Sequence, residues 1–327
     1  MKAKSIATAY AFLAAVLYAL NVPLSKLLLA HVSPTVMAAL LYLGAGAGLF
    51  LYGLGERALG KAKKREPLTK KELPYTVAMV ALDIAAPILL MFGVRLSHAA
   101  NVSLMNNFEI VATSLIALLI FKEAISKKLW LAIALVTAAS VILSFDGAGA
   151  FSFNRGSLFV LGACVAWGFE NNCTKMISQK SSVEIVVIKG IFSGLGSLAV
   201  AFLLGERLPA LPWLLCVLAL GFVSYGLSIH LYVMAQKELG AAKTSAYYSV
   251  APFVGVALGL LLLGEKPKPA FYIGLAIMVL STLLMVKDTI ELQHTHPHRH
   301  GDIEHTHLHT HTGNSEEHTH GHKGNIL

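Results

Sequence analysis

Ten runs of about twenty predominantly apolar residues follow one another along this chain, each long enough to cross the ~30 Å hydrocarbon core of a bilayer as a helix. They lie at roughly 5–29, 34–55, 74–94, 98–121, 128–145, 156–178, 183–205, 211–236, 241–264 and 269–287. Lipid offers the backbone no hydrogen bonds, so such runs fold as helices. Gly and Pro inside several of them are tolerated because neighbouring helices re-satisfy the freed groups. Of the 327 residues, 13% are charged and 56% hydrophobic, against about 25% charged in a soluble domain. These values point to an all-α polytopic membrane protein. The net charge of +8 does not imply nucleic acid as a partner, because the basic residues stand in short clusters between apolar runs, as in cytoplasmic loops.

The N-terminal "MKAKSIATAYAFLAAVLYAL" begins like a signal peptide. Its apolar run is too long for one and has no clear cleavage site, so it reads as a retained first helix. Cys164, Cys173 and Cys216 all fall inside apolar runs, without CxxC spacing, and read as packing residues. With the N-terminus inside, the inward segments carry Lys2, Lys4, the basic cluster of 57–71 and seven further lysines. The outward segments carry Lys26, Arg95, Arg155, Arg207, Lys266 and Lys268. This bias predicts that both termini are cytoplasmic, in the inner (plasma) membrane of a prokaryote. Lys26 and Arg95 lie at helix ends, where they can snorkel.

The chain also repeats itself. "SLIALLIFKEAISKKLW" (114–130) matches "VALGLLLLGEKPKPAFY" (256–272) at an offset of 142, and "LSHAANVSLMNN" (96–107) lies over "ELGAAKTSAYYS" (238–249) at the same offset. "LYALNVPLSK" (17–26) lies over "AWGFENNCTK" (166–175) at an offset of 149. Each half then holds five helices. An odd number makes the second half enter the membrane from the opposite side, and such inverted repeats place a substrate site between the halves.

Five-helix halves, "FKE" and "LGE" after the fourth and ninth helices, Pro252 thirteen residues before Glu265, and "GLAIMVLSTLLMV" in the last helix resemble the EamA family of the drug/metabolite transporter superfamily. The resemblance covers about residues 5–287. It implies two inverted EamA-like repeats, 1–146 and 147–287, followed by a tail at 288–327. It also implies a carrier, usually an exporter of amino acids, related metabolites or drugs, that works by alternating access. Two positions depart from the family pattern. Ile110 stands where the second half has Pro252, and Leu40 stands where the second half has Lys189, a basic position of the family's second helix.

Ionisable residues in hydrocarbon cost at least about 2.5–3.5 kcal/mol and are functional candidates by default. Asp83 interrupts the third helix, with Pro87 one turn on. Glu109 lies midway along the fourth, with Asn106 and Asn107 beside it; an Asn and a Glu together can hold an ammonium group or a proton. Glu170, Asn171 and Asn172 form the densest polar cluster, with Trp167 at i−3, and the first helix has Tyr18 and Asn21 at the equivalent places. That symmetry predicts a paired pocket from the first and sixth helices. Lys189 lies too deep to snorkel and calls for a carboxylate partner, with Glu170 or Glu109 in reach. His230 has no side-chain partner one turn back on its own helix. It reads as hydrogen-bonded packing or as a proton relay. Tyr247 and Tyr248 read equally as a cavity lining or an interfacial belt. Glu170, Asn171, Asp83 and Glu109 are expected to line one central cavity. No nucleophile–base set and no nucleotide loop is present, so no enzyme activity and no required cofactor is expected.

Eleven of the fourteen histidines stand in the tail, at His294, His296, His298, His300, His305, His307, His309, His311, His318, His320 and His322. Few apolar residues accompany them, so the tail is expected to be disordered. Neutral imidazoles suit zinc, nickel, cobalt and copper. The leading expectation is a metabolite exporter that meets a small-molecule substrate and the lipid bilayer, is compatible with a monomer, and carries a metal-binding appendage. The alternative is a metal-linked transporter that exports a divalent cation or a metal-chelating metabolite, with the tail as sensor or buffer.

Overall fold

The computed structural model describes residues 2–58, 68–122, 127–144, 154–177, 180–239, 244, 247–300 and 303–310. The first half holds α1 (Lys2–Ala19), α2 (Asn21–Leu28), α3 (Pro34–Ala58), α4 (Leu73–Leu96), α5 (Ala99–Met105), α6 (Phe108–Phe121) and α7 (Lys127–Ser144). The second holds α8 (Arg155–Ile177), α9 (Ser182–Leu203), α10 (Leu211–Gly221), α11 (Ser228–Leu239), α12 (Ala251–Leu263) and α13 (Pro269–Leu292). A π-helical turn, Phe222–Leu227, joins α10 to α11.

Among the described residues, eight helical stretches are long and apolar enough to cross a membrane. The other two apolar runs behave differently: α12 spans only 13 residues, and α8 carries Glu170, Asn171, Asn172 and Lys175. Leu119, Leu203 and Leu261 are 76%, 87% and 80% exposed. Such a surface is expensive in water and ordinary against lipid tails.

The two halves pack as copies of one unit. Among the contacts, α3 lies along α9, α5 against α12, and α7 against α13. Helix α4 lies along α8, and α1 along α11. Exchanging the halves at the repeat offsets returns the α3–α9 and α7–α13 pairs to themselves and turns the α4–α8 pair into the α11–α1 pair. Helices α6 and α12 even end alike, on Lys122 at φ 56° and Gly264 at φ 60°, positions 142 residues apart. Gly takes this left-handed cap freely, whereas a side chain there is strained.

Three charged side chains tie helix ends together. The Lys26 ammonium donates to the carbonyls of Val94, Arg95 and Ser97 at 2.7, 3.0 and 2.7 Å, at the C-terminal end of α4. Lys26 therefore caps α4, at the negative end of its helix dipole. Glu265 accepts from the amides of Ala99 and Ala100 at 2.6 and 2.9 Å. Glu206 accepts from the Val36 amide at 2.9 Å. Both carboxylates cap the positive end of a helix from the opposite half.

Beyond α13, Gln293–His300 pairs antiparallel with Ile303–Thr310, placing His294, His296 and His298 opposite His309, His307 and His305. Residues 293–300 and 303–310 thus pair as strands where the sequence led to an expectation of disorder. Histidine alternates with Thr295, Pro297 and Arg299 in the first run and with Thr306 and Leu308 in the second, a period-2 pattern, and Gly-Asp stands between the two runs in the sequence. His311, His318, His320 and His322 lie outside the described residues.

Candidate functional site

The deepest charges of the two halves meet. Asp83 of α4 and Glu170 of α8 are 0% and 1% exposed, and both contact Lys189 of α9. The Lys189 Nζ lies 3.0 Å from Glu170 Oε1 and 3.2 Å from Asp83 Oδ2. The Tyr42 hydroxyl donates to Asp83 Oδ1 at 2.9 Å, and Trp167 Nε1 donates to the Tyr42 oxygen at 3.3 Å. The Thr174 hydroxyl donates to Glu170 from one turn along α8. Pro87 leaves the Asp83 carbonyl without its i+4 donor, yet α4 continues through it to Leu96. Two carboxylates thus share one ammonium. Buried ion groups of this kind are held by mutual attraction and by every added hydrogen bond.

Glu109 belongs to a neighbouring group. Asn171 Nδ2 donates to Glu109 Oε1 at 2.7 Å and to Thr113 Oγ1 at 3.2 Å. Asn172 instead turns to the backbone, donating to the carbonyls of Thr113 and Gly168 at 3.1 and 2.8 Å. Three consecutive residues sweep about 200° of a helix, and each serves a different neighbour. Glu170 reaches α9, Asn171 reaches the side chains of α6, and Asn172 reaches the backbones of α6 and α8. The expected single group of four is therefore two adjoining groups, and among the described residues no Lys or Arg stands at ion-pair distance from Glu109.

Tyr18 and Asn21 do not pair with α8 to form the pocket predicted from repeat symmetry. They line a small pocket with Ser103, Asn106, Pro252 and Gly255, so the first segment meets α5 and α12 there. Asn21 Nδ2 donates to the Tyr225 hydroxyl at 2.9 Å. Asn106 does not share a continuous helical face with Glu109, because the helix breaks at Asn106–Asn107, between α5 and α6. Aromatic rings join the two regions. Tyr225 lies 5.4 Å from Tyr42 and 6.0 Å from Tyr18, and Tyr18 lies 5.7 Å from Tyr248. Tyr248 is thus part of the interior, whereas Tyr247 packs on Phe12 at 5.1 Å. His230 packs on Tyr52 with ring centroids 4.6 Å apart and planes tilted by 57°, and it lines a separate small pocket with Leu49 and Val186.

Sequence reasoning missed Tyr42, Thr113, Thr174 and Tyr225. A Tyr or Thr within an apolar run carries no charge to single it out. Among the residues whose side chains are described, no three His, Cys, Asp or Glu gather to hold a metal ion. Cys164 is buried against the Met105 carbonyl, and Cys216 is exposed.

A duplicated helical bundle with charged side chains sealed between its halves is the architecture of a membrane carrier. The profile of the EamA-like transporter family matches residues 5–145 and 154–287, and the chain belongs to that family. It is a multi-pass membrane transporter. A relative named "Uncharacterized transporter" from Methanothermobacter thermautotrophicus is 26% identical over 271 residues, covering 77% of this chain and 78% of its own length. The "Uncharacterized inner membrane transporter YedA" of Escherichia coli K12 is 26% identical over 160 residues, covering 48% of this chain and 52% of YedA. One solved structure, titled "Crystal structure of protein", shares the fold at a TM-score of 0.61 and 20% identity, covering 85% of this chain and 94% of that one.

Proposed function

We propose that the protein exports small amphipathic metabolites such as amino acids, by alternating access about the buried Asp83–Lys189–Glu170 cluster. The observation that carries this reading is that the cluster joins α4 of one half to α8 and α9 of the other, so relative motion of the halves remakes its ion pairs. An ammonium beside carboxylates is complementary to both ends of a zwitterion. Lys189 takes the substrate carboxylate, and Glu170 with the neighbouring Glu109 takes the amino group. In this reading ten helices form two inverted repeats, 1–146 and 147–287, and both termini are cytoplasmic.

Purified protein in liposomes, tested over a panel of amino acids and polyamines, checks the function. Glu170→Gln and Glu109→Gln should each lower flux by roughly tenfold or more, the loss expected when a charge-assisted hydrogen bond of about 1.5 kcal/mol is removed. Wild-type flux in both variants would assign these carboxylates to structure. Single cysteines introduced in intact cells should be labelled from inside at 57–73 and from outside at 146–155. Finding both segments on one side would exclude the inverted arrangement.

The tail supports a second, accessory role. Histidines at alternating positions, set opposite one another in the 293–310 pairing, suit zinc, nickel, cobalt or copper. Binding should weaken as protons compete below the imidazole pKa of about 6.5. A chain ending at Lys287 should lose most zinc and nickel binding by calorimetry while still inserting and moving its organic substrate. If it moves nothing, or if the full-length protein in liposomes carries metal ions alone, the protein is instead a metal-linked exporter.

A further inference from the structure

Three backbone irregularities surround one small pocket outside the ion-pair cluster. Pro23 has no N–H, so the Ala19 carbonyl at the α1–α2 junction loses its i+4 donor. Pro252 does the same to the Tyr248 carbonyl ahead of α12. Between α5 and α6 the Asn107 amide turns to Leu104 at 3.3 Å, and the Ser103 carbonyl is left without its helical donor. Tyr18, Ala19, Ser103, Asn106, Pro252 and Gly255 line the space between.

Two side-chain oxygens there lack partners. Ser103 Oγ and Asn106 Oδ1 are buried with no hydrogen-bond partner among the described residues, and Ser103 is 4% exposed. The oxygens converge. A Cβ built on Gly255 would stand 2.7 Å from Ser103 Oγ and 3.6 Å from the Ala19 carbonyl oxygen. A single point above this glycine is thus bordered by a hydroxyl and a carbonyl, and Asn106 belongs to the same lining.

We propose that this pocket binds a small monovalent metal cation of the sodium class, held by the Ser103 hydroxyl, the Asn106 amide oxygen and the Ala19 carbonyl. The pocket holds one water-sized body, which excludes an organic solute. The polar groups of its lining are neutral, with no carboxylate among them, which suits a singly charged hard cation and not a divalent one. Helix breaks that free carbonyls at the interface of repeats are where carriers hold their coupling ions. The role as coupling ion rests on the transport reading above; binding does not.

The test is thermal unfolding of the full-length protein in detergent, titrated with NaCl, LiCl, KCl or choline chloride at constant ionic strength. Sodium or lithium should raise the unfolding temperature saturably, and choline should not. Ser103→Ala, the mildest change, should weaken the apparent affinity at least about tenfold, a loss of ~1.4 kcal/mol. Gly255→Ala, which fills the site, should abolish the ion-specific shift. Identical curves for sodium and choline, with the protein folded, would mean that the pocket holds water only and would overturn the proposal. Solute flux in liposomes driven by a proton gradient without sodium is the separate arm. Flux without ion-specific stabilisation removes only the cation site, whereas ion-specific stabilisation without flux of any solute removes only the exporter reading.

Discussion

Lys189→Met should destabilise the protein by about 3–5 kcal/mol, the cost of breaking a buried ion pair from one side, and should abolish transport. Methionine fills much of the lysine stem's volume, so the loss reports charge and not a cavity. It leaves Asp83 and Glu170, 0% and 1% exposed, facing the place where their shared ammonium stood. Neither can turn to solvent. Tyr42 and Thr174 each donate one hydrogen bond, too few to replace a cation. Adding Asp83→Asn and Glu170→Gln to the same chain removes both orphaned charges and should restore most of the stability while transport stays absent. Unfolding in detergent measures the first half of this expectation, and flux in liposomes the second. A single Lys189→Met variant as stable as wild type would show that the cluster is solvated or already neutral. A triple variant that transports would show that it is structural.

Much of this arrangement is legible in the sequence, for a definite reason. A charge in a long apolar run is too costly to be incidental, so Asp83, Glu109, Glu170 and Lys189 identify themselves, and the offsets of 142 and 149 residues reveal the duplication. Partners are harder to read. Lys189 could have been assigned to Glu109; which carboxylates it meets depends on the rotation of α4, α8 and α9 about their axes, which no periodicity fixes in segments apolar on every side. Tyr42 stands in "LLYLG" and looks like packing until Asp83 is set opposite it. The break at Asn106–Asn107 was hidden because Ile110 occupies the place where the second half has a proline. Glu206 and Glu265 stand just past the ends of apolar runs, and only tertiary structure shows that each caps a helix of the other half. The alternation of His with Thr in the tail reads as metal ligation, and the same alternation is a strand period.

The second large effect lies where α3 and α9 touch without side chains. A Cβ built on Gly190 would stand 2.5 Å from the Gly46 Cα and N and 2.8 Å from the Tyr42 carbonyl, and one on Gly46 would stand 2.7 Å from the Ile191 amide nitrogen. The blocking atoms are backbone on both sides, so no rotamer change can yield. Lipid supplies no hydrophobic drive to press helices together, so close packing of small residues carries the contact. Gly190→Val must push α9 away from α3 along its length. It should cost at least the ~1–3 kcal/mol of an overpacked core, and Gly190→Ala should already show a measurable part of it. Because Gly190 follows Lys189 and its obstruction includes the Tyr42 carbonyl, the same displacement pulls the ammonium and the phenol away from Asp83, and transport should fall with stability. Gly55 supplies the control from the same α3 helix: a Cβ there meets nothing within 4 Å. Gly55→Ala should leave flux unchanged and raise stability by up to ~1 kcal/mol, since Ala is the better helix residue. Equal unfolding temperatures for Gly190→Ala and Gly55→Ala would show that α3 and α9 are not in backbone contact, and that the charged cluster is not held in place by their approach.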